Sequence, residues 1–171
     1  MIRRAARPLS RLALLAVLTV VAPGVPPALA QRSELVAFER STLVIETERA
    51  KHRFDIELAT TPEQQRQGLM FRNRMAADAG MLFIYDGTAP VSMWMKNTFI
   101  PLDMLFIDAE GKIVKIVERT VPQSLETISA GRPVTAVLEV NGGTTSRLGI
   151  KPGDRVVHAA IKPRVQPVAP R

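Results

Sequence analysis

Ten consecutive residues, Trp94-Met95-Lys96-Asn97-Thr98-Phe99-Ile100-Pro101-Leu102-Asp103, hold the chain's single tryptophan, a lysine, an amide and a carboxylate. The surrounding sequence is apolar and strand-like, where a polar group buried without a partner costs about 1–3 kcal/mol. Each of these groups is therefore either paired internally or turned toward a ligand. Strand alternation puts Met93, Met95 and Asn97 on one face and Trp94, Lys96 and Thr98 on the other. A tryptophan and a lysine on one face make an aromatic platform beside a cation, suited to a sugar ring or an acidic group. Arg72, at the end of a predicted helix, and Asp103, after the proline turn, complete a candidate ligand-binding set of Arg72, Trp94, Lys96, Asn97 and Asp103. The competing reading pairs Lys96 with Asp103, uses Asn97 to cap the Pro101 turn and packs Trp94 in the core.

Three other chemistries are written less clearly. Met70, Met81, Met93, Met95 and Met104 supply thioethers, the softest Cu(I) ligands open to a chain without cysteine, although methionine is also an ordinary core filler. His52 and His158 stand singly and lack metal-ligand spacing, so neither a metal nor any other cofactor is expected. A glycosidase needs two carboxylates flanking the scissile bond, and Asp103, Glu139 and Asp154 are the candidates. No nucleophile elbow and no His-Glu-x-x-His helix accompanies them, so catalytic residues are not assigned. Asn141-Gly142-Gly143-Thr144 lacks the lysine and glycine spacing of a phosphate loop. It reads as a strand-to-helix connection capped by Asn141 or Thr144.

The elements that must position these residues are mostly strands. His52, Phe54, Ile56 and Leu58 alternate with Arg53, Asp55 and Glu57, the pattern of a half-buried antiparallel strand. Leu43 to Thr47 precedes it. Thr61-Pro62-Glu63-Gln64 carries an N-cap, a first-turn proline and a capping-box glutamine, predicting a helix to about Phe71, with Gly68 allowing close approach of another element. Met81 to Tyr85 and Met104 to Ile107 are apolar throughout and predict burial on both faces; Asp86-Gly87 predicts a turn before a strand from Val91 to Lys96. Lys112 to Glu118, Pro133 to Val140 (Val134, Ala136, Leu138 and Val140 inward) and Arg155 to Ile161 complete the set. Seven or eight short strands with one helix imply a β-sandwich or closed barrel with the helix packed against it.

The ends differ in kind. Arg3, Arg4, Arg7 and Arg11, the apolar run Leu12 to Ala22 and the site Ala28-Leu29-Ala30 make residues 1–30 a secretory signal peptide. The apolar run is short for a bilayer span of roughly 20 residues, so no membrane insertion is expected after cleavage. The expected location is the periplasm or the exterior. Residues 162–171 are basic and proline-rich and read as a disordered tail, leaving residues 31–161 as a single β-rich domain. Of 23 basic residues four leave with the signal, so 19 face 16 acidic ones, and Lys162, Arg164 and Arg171 lie in the tail. The domain itself is nearly neutral, which argues against a nucleic-acid partner.

Several motifs together resemble the domain of unknown function 192 family. They are Gly68-Leu69-Met70-Phe71-Arg72, Gly80-Met81-Leu82-Phe83, Trp94-Met95-Lys96-Asn97-Thr98, Ile100-Pro101-Leu102-Asp103, Leu138-Glu139-Val140-Asn141-Gly142-Gly143 and Leu148-Gly149-Ile150-Lys151-Pro152-Gly153-Asp154. The resemblance spans roughly Val44 to Ala160 and implies an exported, mostly β domain of jelly-roll type, without assigning catalytic residues. The combined expectation is an exported domain that binds a small polar ligand, a saccharide or an acidic group. An envelope hydrolase with paired carboxylates, a methionine Cu(I) site, and a structural or protein-interaction module are the alternatives. No protein partner is specified.

Overall fold

The computed structural model of the chain describes residues 36–161. The proposed signal peptide at 1–30 and the tail at 162–171 lie outside the described residues.

β1 (Glu39–Glu46) and β2 (Lys51–Ala59) form an antiparallel hairpin, with Glu39 opposite Leu58 and Glu46 opposite Lys51. The alternation of β2 is realised as expected: Phe54, Ile56 and Leu58 are buried while Arg53 and Asp55 are exposed. The capping box at the start of α1 (Pro62–Gln67) forms in both directions. Thr61 Oγ1 accepts from the Gln64 N–H at 3.3 Å, and Gln64 Oε1 accepts from the Thr61 N–H at 3.1 Å. The helix stops well short of Phe71. Gly68 takes φ +46° and ends it, and a Cβ there would lie 3.0 Å from the Phe83 ring. The expected close approach at Gly68 is thus real, and it coincides with the end of the helix.

β3 (Ala79–Met93) runs parallel to β2 and antiparallel to β6 (Ile128–Asn141). The turn expected at Asp86-Gly87 is instead an irregularity inside one long strand: the pairing with β6 shifts between Ile84 and Ala89. Gly87, at φ +77°, and Gly131, at φ +71°, absorb these distortions, and the opposed prolines Pro90 and Pro133 lack the N–H groups for a regular ladder. The strand expected to reach Lys96 ends at Met93. β4 (Leu102–Ile107) pairs with β6 and with β5 (Ile113–Val117). α2 (Thr144–Leu148) follows β6, and β7 (Arg155–Val157), shorter than expected, pairs with β1.

The strand order is β5-β4-β6-β3-β2-β1-β7, and the two ends of this sheet meet. A bridge between Lys112 and Arg155 joins them, flanked by Ile113 N–H to Asp154 C=O at 2.9 Å and Val156 N–H to Gly111 C=O at 2.7 Å. At this seam Gly111 has φ +83°, and a Cβ on it would lie 2.6 Å from the Val156 carbonyl oxygen. The fold is therefore a nearly closed, seven-stranded barrel with two short helices, the barrel form of the expected mainly β class.

Two buried clusters follow from the pleat. One draws on all seven strands, with Leu43, Phe54, Leu82, Leu105, Leu138 and Val156 among its members, and fills the lumen. The other contains Met81, Phe83, Met104, Phe106 and Val137 from β3, β4 and β6, together with Leu69 and Met95 from outside the sheet. It lies on the outer face, so Gly80–Phe83 of β3, all of β4 and Ala136–Val140 of β6 are buried on both sides; the apolar run of β4 is buried as predicted, while that of β3 is half-exposed from Ile84.

Candidate functional site

Glu139 projects from β6 into the outer cluster. In register it stands between Met81 on β3 and Met104 on β4, both fully buried. Burial pushes its carboxyl up to about 8. The nearby Tyr85 phenol is raised too, first by its own burial and then by Glu139; its hydroxyl donates to Met93 Sδ at 3.3 Å.

The segment after β3 roofs this carboxyl. Gly68, Leu69, Met93, Trp94, Lys96 and Glu139 line a crevice of about 30 Å³, room for one water-sized group. Trp94 is 49% exposed, and Lys96 Nζ sits 5.0 Å from the centre of its ring. Trp94 and Lys96 are therefore together and facing solvent, as the sequence suggested. The competing placement of Trp94 in the core is not adopted. Thr98 does not join them at the surface: it is buried, because the chain leaves the strand and turns at Asn97, whose φ is +54°.

The other candidate residues have separate partners. Asp103 is fully buried, and its carboxylate accepts four hydrogen bonds, from the N–H groups of Arg119 (2.8 Å), Gly143 (2.8 Å) and Thr145 (2.9 Å) and from the Thr145 hydroxyl (2.7 Å). It is thus the anion at the start of α2, where Gly143 has no side chain to offer. Asn141 and Thr144 do not cap this helix; Asn141 donates its amide to the Met75 and Ala76 carbonyls. With its oxygens filled, Asp103 is not paired with Lys96 either. Arg72 forms an ion pair with Glu57, lies 5.9 Å from the centre of the Phe38 ring, and lines a different cavity of about 440 Å³ with Asp55 and Met75. Asn97 positions the loop: its carbonyl accepts the Phe71 N–H at 2.8 Å, and its amide lies 3.8 Å from Met70 Sδ.

Strain gathers around the same loops. Four non-glycine residues among those described have positive φ, namely Phe71 (65°), Asn97 (54°), Arg119 (48°) and Gln123 (61°). The Phe71 N–H reaches Asn97, and the Gln123 N–H reaches the Thr98 carbonyl at 3.0 Å, so three loops are tied together beside the crevice. Phe71 and Phe99 are exposed there, edge to face at 6.3 Å.

The geometry also bears on the other chemistries. Along β4, Asp103 shares the lumen side with Leu105 while Met104 shares the outer side with Glu139, so the two carboxylates face opposite sides of the sheet. Asp154 accepts the Lys151 N–H at 2.8 Å in the turn before β7. Met95 Sδ accepts from the Thr120 hydroxyl at 3.1 Å, and Met81 and Met104 fill the core. Among the described residues no three His, Asp or Glu side chains gather as metal ligands.

Glu139 was legible only as one carboxylate among three. The available signal was the two-sided burial predicted for Met81–Tyr85 and Met104–Ile107, which extends to any strand lying between them.

The profile of a family described as DUF192, Uncharacterized ACR, matches residues 43–158. A crystal structure from Sinorhizobium meliloti 1021, described as a candidate transcription regulator, is 47% identical with a TM-score of 0.72, covering 74% of this chain and 98% of that one. A protein of unknown function from Novosphingobium aromaticivorans DSM 12444 is 36% identical with a TM-score of 0.69, covering 81% of this chain and 94% of that one. Among curated proteins, none matches.

Proposed function

This chain belongs to the uncharacterised DUF192 family, and from that premise we propose that it binds a small polar ligand, a saccharide or acidic group, at Trp94 and Lys96. The carrying observation is the exposed Trp94–Lys96 pair above a crevice that ends on the Glu139 carboxyl. Trp94 offers its apolar face, Lys96 its charge, and Glu139, uncharged near neutral pH, a hydroxyl that donates to a ligand oxygen without repelling an acid. Asn97, with its strained turn, holds the platform in place; Arg72 and Asp103 support the surrounding fold.

The crevice is small, so it admits one functional group of the ligand while the rest lies on the surface. We place this binding in the periplasm or outside the cell on the strength of the 1–30 segment alone. The description of the Sinorhizobium protein is not carried over as a nucleic-acid role, because basic and acidic residues balance between positions 31 and 161. Fluorescence titration tests the reading directly, since Trp94 is the chain's single tryptophan. Saturable quenching or enhancement by uronic acids or neutral sugars, weakened by Lys96→Ala, supports it. No saturable change with any of them overturns it.

A further inference from the structure

A second site is built from residues at the β1–β2 turn and the end of α2. A cavity of about 390 Å³ lies between them, with Arg49, His52, Arg147 and Lys151 in its lining. A neighbouring cavity of about 310 Å³ shares His52 and Arg147 and adds Asp78 with Lys51 and Arg53, which are paired with Glu46 and Asp55. His52 extends the inward row of Phe54, Ile56 and Leu58, so its ring reaches the end of the lumen, where Leu148 of α2 packs on the core. Its Nε2 is buried and has no hydrogen-bond partner; it is the only such side-chain atom among the described residues. A buried imidazole nitrogen left without a partner is destabilising, so the ring gains by turning toward an acceptor held in the cleft. Lys151 is engaged by Glu48 at 3.0 Å, whereas no carboxylate among the described residues pairs with Arg49 or Arg147.

We propose that this cleft binds a phosphate group, inorganic or carried as a monoester, held by Arg49 and Arg147 with the His52 ring turning to donate from its buried Nε2–H. Two arginines from separate elements line the cleft, and their guanidinium groups suit the several acceptor oxygens of a tetrahedral anion. The cavity also exceeds what inorganic phosphate alone would fill. The site is independent of Trp94 and stands or falls without it.

The test is NMR of the full chain with ¹⁵N-labelled histidine rings, titrated with inorganic phosphate or glycerol phosphate against chloride at matched ionic strength. His158 is an internal control, because its Nε2 already lies 3.0 Å from Ser41 Oγ and its Nδ1 accepts the Ala160 N–H. The expected result is a saturable shift of the His52 Nε2 resonance with His158 unmoved, and at least a tenfold weaker Kd in Arg147→Gln, at an exposed position where the fold tolerates the change. Tighter binding of the monoester assigns the phosphate to an organic ligand, and equal or weaker binding assigns it to the free ion. An unsaturable response, a response equal to chloride, or an unchanged Kd in Arg147→Gln overturns the proposal.

Discussion

The Asp103 carboxylate holds Thr145 twice, at the backbone N–H (2.9 Å) and at the hydroxyl (2.7 Å), across 42 positions of sequence. This contact fixes α2 to β4, and both residues are completely buried. Asp103→Ala leaves the Thr145 and Gly143 donors without an acceptor and should cost at least about 3 kcal/mol. Asp103→Asn should recover part of the loss by keeping one acceptor oxygen. Urea denaturation of the two variants measures the difference, and an alanine variant as stable as the parent would refute this role.

Glu139 makes stability depend on pH. Its folded-state carboxyl titrates near 8 against a reference of 4.5, so between those values the folded state retains a proton that the unfolded chain has released. Stability therefore falls as pH rises through that window, by up to about 1.4 kcal/mol per unit from this group. Glu139→Gln should flatten that part of the profile and be the more stable protein at its alkaline end. Denaturation midpoints across the window, compared between parent and variant, give the sign.

Trp94 and Lys96 lie largely outside the core, so substituting them should spare the fold. Trp94→Ala should change stability by less than about 1 kcal/mol, as expected for an exposed cation–π pair, while removing ligand binding. Thermal unfolding with and without saturating uronic acid separates these effects. Severe destabilisation by this single change would make the tryptophan a scaffold residue.

Gly111 should tolerate no side chain. Its positive φ and its approach to the Val156 carbonyl mean that Gly111→Ala strains the backbone and pushes the seam apart, at a cost of about 2 kcal/mol or more. Amide exchange should then accelerate at Ile113 and Val156, whose N–H groups cross the seam. Unchanged protection at both amides would contradict it.

The elements most legible in the sequence were those with one physical cause. The alternation of β2 reports a sheet with one apolar face at that point, and Thr61, Pro62 and Gln64 specify a helix start through local bonds alone. The helix end was obscured because Leu69, Met70 and Phe71 continue an apolar pattern after Gly68 has already turned the chain. Asp86-Gly87 has the composition of a turn, and residues 85–88 do leave the ladder, but pairing with β6 resumes at Ala89, so the two flanks belong to one strand. At the site, the adjacency of Trp94 and Lys96 was readable from short-range spacing. Separating Asp103 from them required knowledge of Thr145 and Gly143, which are distant in sequence, and Glu139 emerged only once β6 was placed between β3 and β4.

The seam between Lys112 and Arg155 gives the molecule a direction in time. The residues that tie it, from Gly153 to Val156, are made after every other strand. Until they emerge during synthesis, β1 lacks its outer neighbour and β5 lacks the seam, so two open borders present unpaired backbone to other chains. A ribosome-bound fragment therefore cannot finish the sheet, and the period of greatest risk for mispairing ends only when the shortest strand, three residues of β7, arrives.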